Sequence, residues 1–447
     1  MSPGLIVKLR PIGPWRIGPD SGARNRVDVI YHSDSLYSAV TAAMARLGVL
    51  KEWLDATARE SEPAVCFSSC FPYLERIRFV VPPRTVWPPF SPSAMSARVR
   101  WKSARFVPLE VVQSTLAKQP LDDVQWNVDG PSECLVPAGR PGPFRTSVRW
   151  SAAVDRLTGA TERHSTACIE FRPEAGLWLV VSFRDEAAHA RWAEPVKGAF
   201  RLLADTGFGG ERSRGWGRSE APEFIEGKLP EMILPPPVLS EAVVEASAPE
   251  PESVTPTSEL EPAEELTPES ARELLERIVD AAISGSPEPP AGNPRNGNAI
   301  GLHGIEAGAA VAGEPQSSVG VLEMEAPPEV EETPAVVEPV PAPLAEPLVA
   351  AGPGPRAHWL LSLFTPAKSD AVDWRRGNYA VLARGGRVES PAGSGELKKQ
   401  VQMVAEGSVL YAETAPRGSA ADVAPDGFAH PVYRAGFALA IQLPEVR

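Results

Sequence analysis

The chain has 447 residues, of which 43% are hydrophobic and 23% charged, with 49 prolines and a formal net charge of −13 at pH 7. No apolar run reaches the length of a bilayer span, which excludes a helical membrane anchor. The acidic balance at first argues against a nucleic-acid partner, but its distribution reverses that. Residues 231–350 hold 22 Glu and 1 Asp against 3 Arg and no Lys, a net of −20, so the rest of the chain carries +7.

Leu5 to Leu9 reads as a first strand, followed by a Gly/Pro-rich loop through Gly22. His32-Ser33-Asp34-Ser35 supplies capping side chains just before Leu36, Ala39, Val40, Ala43, Met44 and Leu47, which share one helix face. Cys66 to Phe71 and Ile77 to Val81 read as short strands. Residues 82–165 are rich in Pro, Arg and Trp without a periodic core, and read as an insertion. Cys168 to Phe171 and Leu177 to Phe183 return to strand character. Pro195 then suits the first turn of a helix that turns Val196, Ala199, Phe200 and Leu203 inward. A glycine-rich loop at 207–217 ends that helix, and Arg218 to Phe224 reads as a last strand. Strand, helix, strands, helix, strand is the order of the split βαβ, ferredoxin-like unit.

The glycine loop is the most informative stretch. Gly207, Gly209, Gly210, Gly215 and Gly217 are interleaved with Arg212, Arg214, Arg218 and Trp216. Glycine permits positive φ and close backbone approach, and amides with guanidinium groups suit a polyanion such as RNA. The spacing fits neither a dinucleotide fingerprint nor a nucleoside-triphosphate loop. A tight turn with a solvated, charged tip explains the same residues.

Residues 231–350 contain 20 of the 49 prolines and no Phe, Trp or Tyr. Such a composition cannot bury enough apolar area to offset chain entropy, so 229–356 reads as a disordered linker. Within it, Thr267, Pro268 and Glu269 open a possible short amphipathic helix at 267–283, which is either a docking motif or marginal on its own. The linker divides a first domain, 1–228, from a second, 357–447. His358 to Phe364 and Tyr433 to Leu443 read as strands of the second domain, an abbreviated unit of the same type. The expected fold class is therefore α+β, with two ferredoxin-like domains joined by the linker. Cys66, Cys70, Cys134 and Cys168, with no secretory signal, suggest reduced thiols and a cytoplasmic protein. Cys66 and Cys70 lack a second pair at zinc spacing, and no cofactor or metal is expected.

Several segments, in order, resemble one family of the repeat-associated mysterious protein (RAMP) superfamily: the fourth Csm subunit, which binds the 5′ handle of the guide RNA in type III-A CRISPR effectors. They are Ile30–Ala39, Ala153–Gly159 and the loop Gly207–Gly217. In the second domain they are Leu361–Pro366, Arg384–Val388, Glu406–Val409 and His430–Gly436. The acidic linker departs from the compact family pattern. The resemblance implies a non-catalytic subunit that binds the crRNA 5′ handle, caps the filament of backbone RAMP subunits and docks onto the large cyclase-type subunit.

Phosphate contacts are expected from the backbone of Gly209 and Gly210 with Arg212 and Arg214. A second candidate is Arg98-Val99-Arg100-Trp101-Lys102, where an extended backbone puts Arg98, Arg100 and Lys102 on one face and Arg105 extends the patch. A solvated edge strand accounts for that stretch equally well. Trp101 and Trp216 read either as base-stacking rings or as packed anchors. Arg145, Arg149 and Arg156 in the insertion suit an RNA-inserting hairpin. Arg384 and Arg387, flanking two glycines, are the second-domain candidates. The alternatives are a metal-independent RAMP endoribonuclease with His32 as general base, the equivalent handle-binding subunit of a type III-B complex, or a protein scaffold tethering two modules.

Overall fold

The structure is a computed structural model that describes residues 1–18, 22–89, 100–235, 354–390 and 393–444. Residues 236–353 of the acidic linker, its 267–283 segment and Arg98 lie outside the described residues, whereas the first residues of the expected linker, 229–235, are described and Ile233 is buried in the fold. The first part runs β1 (Ser2–Leu9), α1 (Ser33–Arg46), α2 (Leu50–Ala56), β2 (Val65–Phe67), β3 (Phe71–Leu74), β4 (Ile77–Val80), β5 (Val107–Pro108), α3 (Leu109–Leu116), β6 (Trp126–Asp129), β7 (Cys134–Pro137), β8 (Phe144–Val154), β9 (Thr161–Phe171), β10 (Ala175–Phe183), α4 (Glu186–Thr206) and β11 (Glu223–Leu229).

The main sheet has the order β11-β1-β10-β3-β4-β5, with β2 also paired to β10, and each of these pairings is antiparallel. The chain leaves β1 through α1 and leaves β10 through α4, which is the winding of a split βαβ unit. Leu36, Val40, Ala43 and Met44 of α1 are buried, as the spacing predicts, and Tyr37 joins them, whereas Ala39 is only partly buried and Leu47 is exposed. Helix α4 differs from its expected form: it begins at Glu186, and Pro195 lies inside it. Asp185 caps it by accepting a hydrogen bond from the Ala188 amide at 2.7 Å. The apolar face continues on both sides of the proline, through Ala188, Trp192 and Ala193 before it and Val196, Ala199 and Phe200 after it. Burying that face offsets the hydrogen bond the proline removes.

Residues 100–144 are part of the core rather than an excursion from it, whereas the side chains of 145–165 are mostly exposed. Trp101, Phe106, Val107, Leu109, Val111, Val112, Leu135, Val136 and Phe144 are all buried. Their elements are two to eight residues long up to β7, too short to sustain a readable period. The last strand of the unit forms at β11 and not at Arg218–Phe224. The Arg218 carbonyl instead accepts from the Ile12 amide at 3.2 Å and from the Trp15 indole at 3.3 Å.

The second part runs β12 (Arg356–Leu360), β13 (Val372–Asn378), β14 (Val381–Arg384), β15 (Arg387–Ser390), β16 (Gly393–Leu397), β17 (Val401–Val404), β18 (Val409–Ala412), β19 (Gly418–Asp422), β20 (Tyr433–Phe437) and β21 (Ala440–Gln442). Its main sheet is antiparallel in the order β13-β18-β12-β21, and the remaining strands pair as β14 with β17, β15 with β16 and β19 with β20. The strand expected over Tyr433–Leu443 is two strands, because the Ala438 amide turns aside to the Arg417 carbonyl at 2.8 Å. Among the described residues this part has no helix of its own. Instead α1 of the first part lies against β20, with the Tyr37 and Phe437 rings edge to face at 5.5 Å. The two parts form one compact unit, and Trp359, Leu361, Val409, Phe437 and Ile441 join Leu5, Leu36, Phe71 and Phe200 in a single core. Among the described residues no helix is long and apolar enough to cross a membrane.

Candidate nucleic-acid interface

The glycine loop is built by backbone packing against the chain around Pro14 to Arg16. The Gly217 amide donates to the Pro14 carbonyl at 3.0 Å, the Gly210 amide to the Arg16 carbonyl at 2.8 Å, and the Phe208 amide to the Gly217 carbonyl at 3.2 Å. Gly209 has φ +90°, and a Cβ there would sit 2.6 Å from the Arg16 carbonyl oxygen, so only glycine allows this approach. Phe208 anchors the loop edge-on to Trp15 at 4.5 Å and Tyr31 at 4.9 Å. The Gly210 amide is therefore committed to the fold and is not an open phosphate ligand, a correction to the expected role of the Gly209–Gly210 backbone. Trp216 is also turned in, at 9% exposure, and is a packed anchor rather than a stacking platform.

What faces solvent is the one-turn 3-10 helix Arg212–Arg214, followed by Gly215 with φ +77°. Arg212, Ser213, Glu211, Gly209 and Gly210 line an open depression of about 650 Å³ together with Thr206 and Arg46, the last residue of α1. Arg46 was not among the predicted residues; only the end-on approach of α1 to this loop discloses it. Arg214 pairs with Glu211 at 3.2 Å and reaches Ser151 Oγ and His164 Nε2, each at 3.4 Å. Those two residues lie opposite one another on β8 and β9.

Strands β8 and β9 form a hairpin paired without interruption from Phe144–Phe171 to Val154–Thr161, with its tip at 155–160. Arg145 and Arg149 share one face, and both hold Glu170: Arg145 Nη2 at 3.0 Å and Arg149 Nη2 at 2.6 Å. The Arg149 hydrogen bond leads in keeping the Glu170 carboxyl below its usual range. Arg156 is exposed at the tip. The opposite face carries Val148, Trp150 and Val154, with Trp150 65% exposed and the Arg163 guanidinium 5.1 Å from its ring centre. Leu157 at the tip is 96% exposed. These apolar residues were missed, although the strict alternation of strand β8 carries the signal that would place Val148, Trp150 and Val154 on one face.

The stretch expected to be extended around residue 100 is instead a helical turn, with the Ser103 amide bonded to the Arg100 carbonyl and the Ala104 amide to that of Trp101. Arg100 and Lys102 are exposed, but a turn does not align them on a strand face. Trp101 is buried and stacks on Trp87 at 5.8 Å and 10°, so it is not free to stack on a base. Arg105 pairs with Asp28 at 3.4 Å and Glu133 at 3.9 Å.

The segment His32–Ser35 does not cap α1 as predicted; its side chains tie the first part to the second. Ser33 Oγ accepts from the Leu363 amide at 3.0 Å. Asp34 is buried and accepts from Arg384 Nε at 3.1 Å and from Arg434, while Arg384 Nη2 also donates to Ser35 Oγ at 3.1 Å. His32, 2% exposed, lies between Glu406 at 2.8 Å and Asp28 at 3.1 Å, and Ser69 donates to the same Glu406 oxygen. Burial works against the charged imidazole, but the Glu406 carboxylate and hydrogen bonds to Asp28 and Glu406 outweigh it and raise its pKa to about 10. Arg384 is therefore a junction residue and not an RNA ligand, because Asp34 and Arg434 enclose it. Arg387 is exposed, donating to the Gly395 carbonyl at 2.5 Å across the β15–β16 hairpin.

Residues 355–443 match the family model of the CRISPR Csm4 C-terminal domain. Comparison with curated protein sequences finds no match. Among solved structures, the chain is similar to one in a Csm1–Csm4 cassette in complex with cA4, at 15% identity over 99% of each chain and a TM-score of 0.45. A chain of a Csm3–Csm4 subcomplex of the type III-A CRISPR-Cas interference complex matches at 12% identity over 99% of each chain, with a TM-score of 0.49. A chain of a type III-B Cmr-β complex bound to cognate target RNA matches at 10% identity over 51% of this chain and 61% of that one, with a TM-score of 0.29. The family match takes in the second-domain segments of the resemblance, Leu361–Pro366, Arg384–Val388, Glu406–Val409 and His430–Gly436, and over residues 355–443 the chain is similar to the CRISPR Csm4 C-terminal domain.

Proposed function

We propose that this subunit binds the 5′ repeat handle of a type III-A crRNA, caps the backbone filament next to a Csm3-type subunit and docks a Csm1-type large subunit, without catalysing a reaction itself. The observation that carries the RNA part is the meeting of the glycine loop and the long hairpin at Arg214, which reaches Ser151 and His164. That meeting sets the Arg46- and Arg212-lined depression on the same loop that the hairpin abuts, so one guide strand would run along both. Phosphates would be held by Arg46, Arg212 and, at the hairpin, Arg145 and Arg149; the exposed Trp150 ring offers a stacking face. The two ferredoxin-like folds expected from the sequence enter this reading in modified form: a split βαβ unit and a sheet-rich second part that borrows α1.

The nuclease reading has little support in the geometry. A general base must reach a substrate proton, and His32 is enclosed between two carboxylates. Titration of labelled handle RNA against the chain at two salt concentrations, resolved on a denaturing gel, tests the proposal. Intact RNA, bound in a salt-sensitive way and more weakly by Arg212→Ala plus Arg214→Ala, is the expected outcome. Metal-independent cleavage of the RNA overturns it.

A further inference from the structure

We infer that a second single-stranded RNA contact lies on the edge of the C-terminal sheet, at the bulge Trp374-Arg375-Arg376-Gly377. Strand β13 is the outer strand of its sheet. Its register with β18 jumps from Asp373–Tyr411 to Asn378–Val409, so four residues oppose Leu410 alone and are pushed out of the ladder. Bulges of this kind re-aim side chains at a sheet edge. The Arg375 amide is fixed on Asp373 Oδ1 at 3.1 Å. Gly377 lets the chain turn beneath the Tyr379 ring, whose Cδ1 a Cβ would meet at 3.1 Å.

The bulge presents rings and cations together. Trp374 and Tyr379 are 38% and 39% exposed and lie edge to face at 5.3 Å. Trp374 is backed by Phe364 at 6.4 Å, which holds its ring in place. The Arg376 guanidinium lies 4.5 Å from the Tyr411 ring centre. Arg84 joins them from the first part, since its carbonyl accepts from Asn378 Nδ2 at 3.4 Å and its side chain is exposed. On the hairpin and beside it, exposed arginines are paired in place: Arg145 and Arg149 with Glu170, Arg140 with Glu75. Among the described residues, Arg84, Arg375 and Arg376 make no ion pair and no side-chain hydrogen bond.

Three uncompensated guanidinium groups beside two half-exposed rings match the needs of a single strand: cations for phosphates and a ring face for an unstacked base. A protein contact fits less well. Charged side chains are depleted at the centre of such interfaces, and three arginines without acids would need a strongly acidic partner. The inference rests on the reading that this chain holds RNA and adds a contact remote in sequence from the glycine loop.

The test uses the full chain and a fluorescently labelled single-stranded RNA. Arg375→Ala with Arg376→Ala should weaken binding about 5- to 20-fold at moderate salt and reduce the slope of log K against log salt by about 1.4, the release expected for two phosphates. Trp374→Ala should weaken it about tenfold with the slope unchanged. Arg84→Ala, on an exposed side chain without an ion pair, serves as a second variant that leaves the fold untouched. RNA carrying 4-thiouridine should crosslink to the peptide spanning residues 372–379. If the bulge variants bind like the parent while Arg212→Ala plus Arg214→Ala does not, this contact is overturned and the glycine-loop reading stands. Loss in the bulge variants alone supports this contact and removes the glycine-loop one. Variants that keep RNA binding but lose a co-purifying protein subunit assign the bulge to a protein partner and overturn the inference.

Discussion

The junction around Asp34 and the hairpin β8–β9 both join arginines to acidic side chains, with opposite consequences. At the junction, Asp34, Arg384, Arg434, His32 and Glu406 are all buried, and the partners come from segments more than 300 residues apart in the chain. Each charge there depends on the others, since a buried ion without its partner is strongly unfavourable. On the hairpin, Arg145 and Arg149 share Glu170 with their side chains 66% and 53% exposed. Water and salt screen that pair, so its loss costs the fold little and leaves the cations free to exchange a carboxylate for a phosphate. The arginines of the junction and those of the hairpin thus differ in solvent access, not in the kind of partner they hold.

That contrast makes measurable demands. Asp34→Ala strands two buried guanidinium groups and should cost about 3–5 kcal/mol of stability, read from urea unfolding. A loss below about 1 kcal/mol would break the comparison, because it would mean that water reaches the junction.

The pH dependence should be the next largest effect. His32 has its pKa raised from the ordinary 6.5 to about 10. The junction's contribution through this group is therefore complete below about pH 6.5 and lost as pH rises from there through 10. Asp28 and Glu406 act in the other sense. His32 and, for Glu406, also Ser69 hold these carboxylates below their usual range in spite of burial. Their contribution is present above the usual carboxylate pKa and lost as pH falls through the lowered one. Unfolding free energy followed from pH 6 to pH 10 should decline in the parent, and the decline should vanish in His32→Gln.

The smallest effect on stability belongs to the hairpin. Arg145→Ala with Arg149→Ala should move the unfolding free energy by no more than about 0.5 kcal/mol. The same pair should lower the salt slope of RNA binding by about 1.4. A large loss of stability with an unchanged slope would class these arginines with the junction.

Much of the framework was legible in the chain. The apolar spacing from Leu36 to Met44 placed α1, the apolar run from Leu177 to Phe183 placed β10, and the glycine run placed the loop that closes α4, because each is a local pattern that its own residues enforce. The short elements between residues 100 and 137 were not, since two to eight residues carry too little periodicity to declare themselves.

The site divides in the same way. Composition and spacing pointed to the basic glycine loop, and the resemblance of ordered segments pointed to the family whose model matches residues 355–443. Only the tertiary structure decided that Arg384 and His32 serve the junction, that Trp101 and Trp216 are packed inside, and that Arg46, Trp150 and the Trp374 bulge face outward. The reason is physical: a side chain's chemistry is written in the sequence, but whether it meets water, a carboxylate or another ring is settled by segments that come together only on folding.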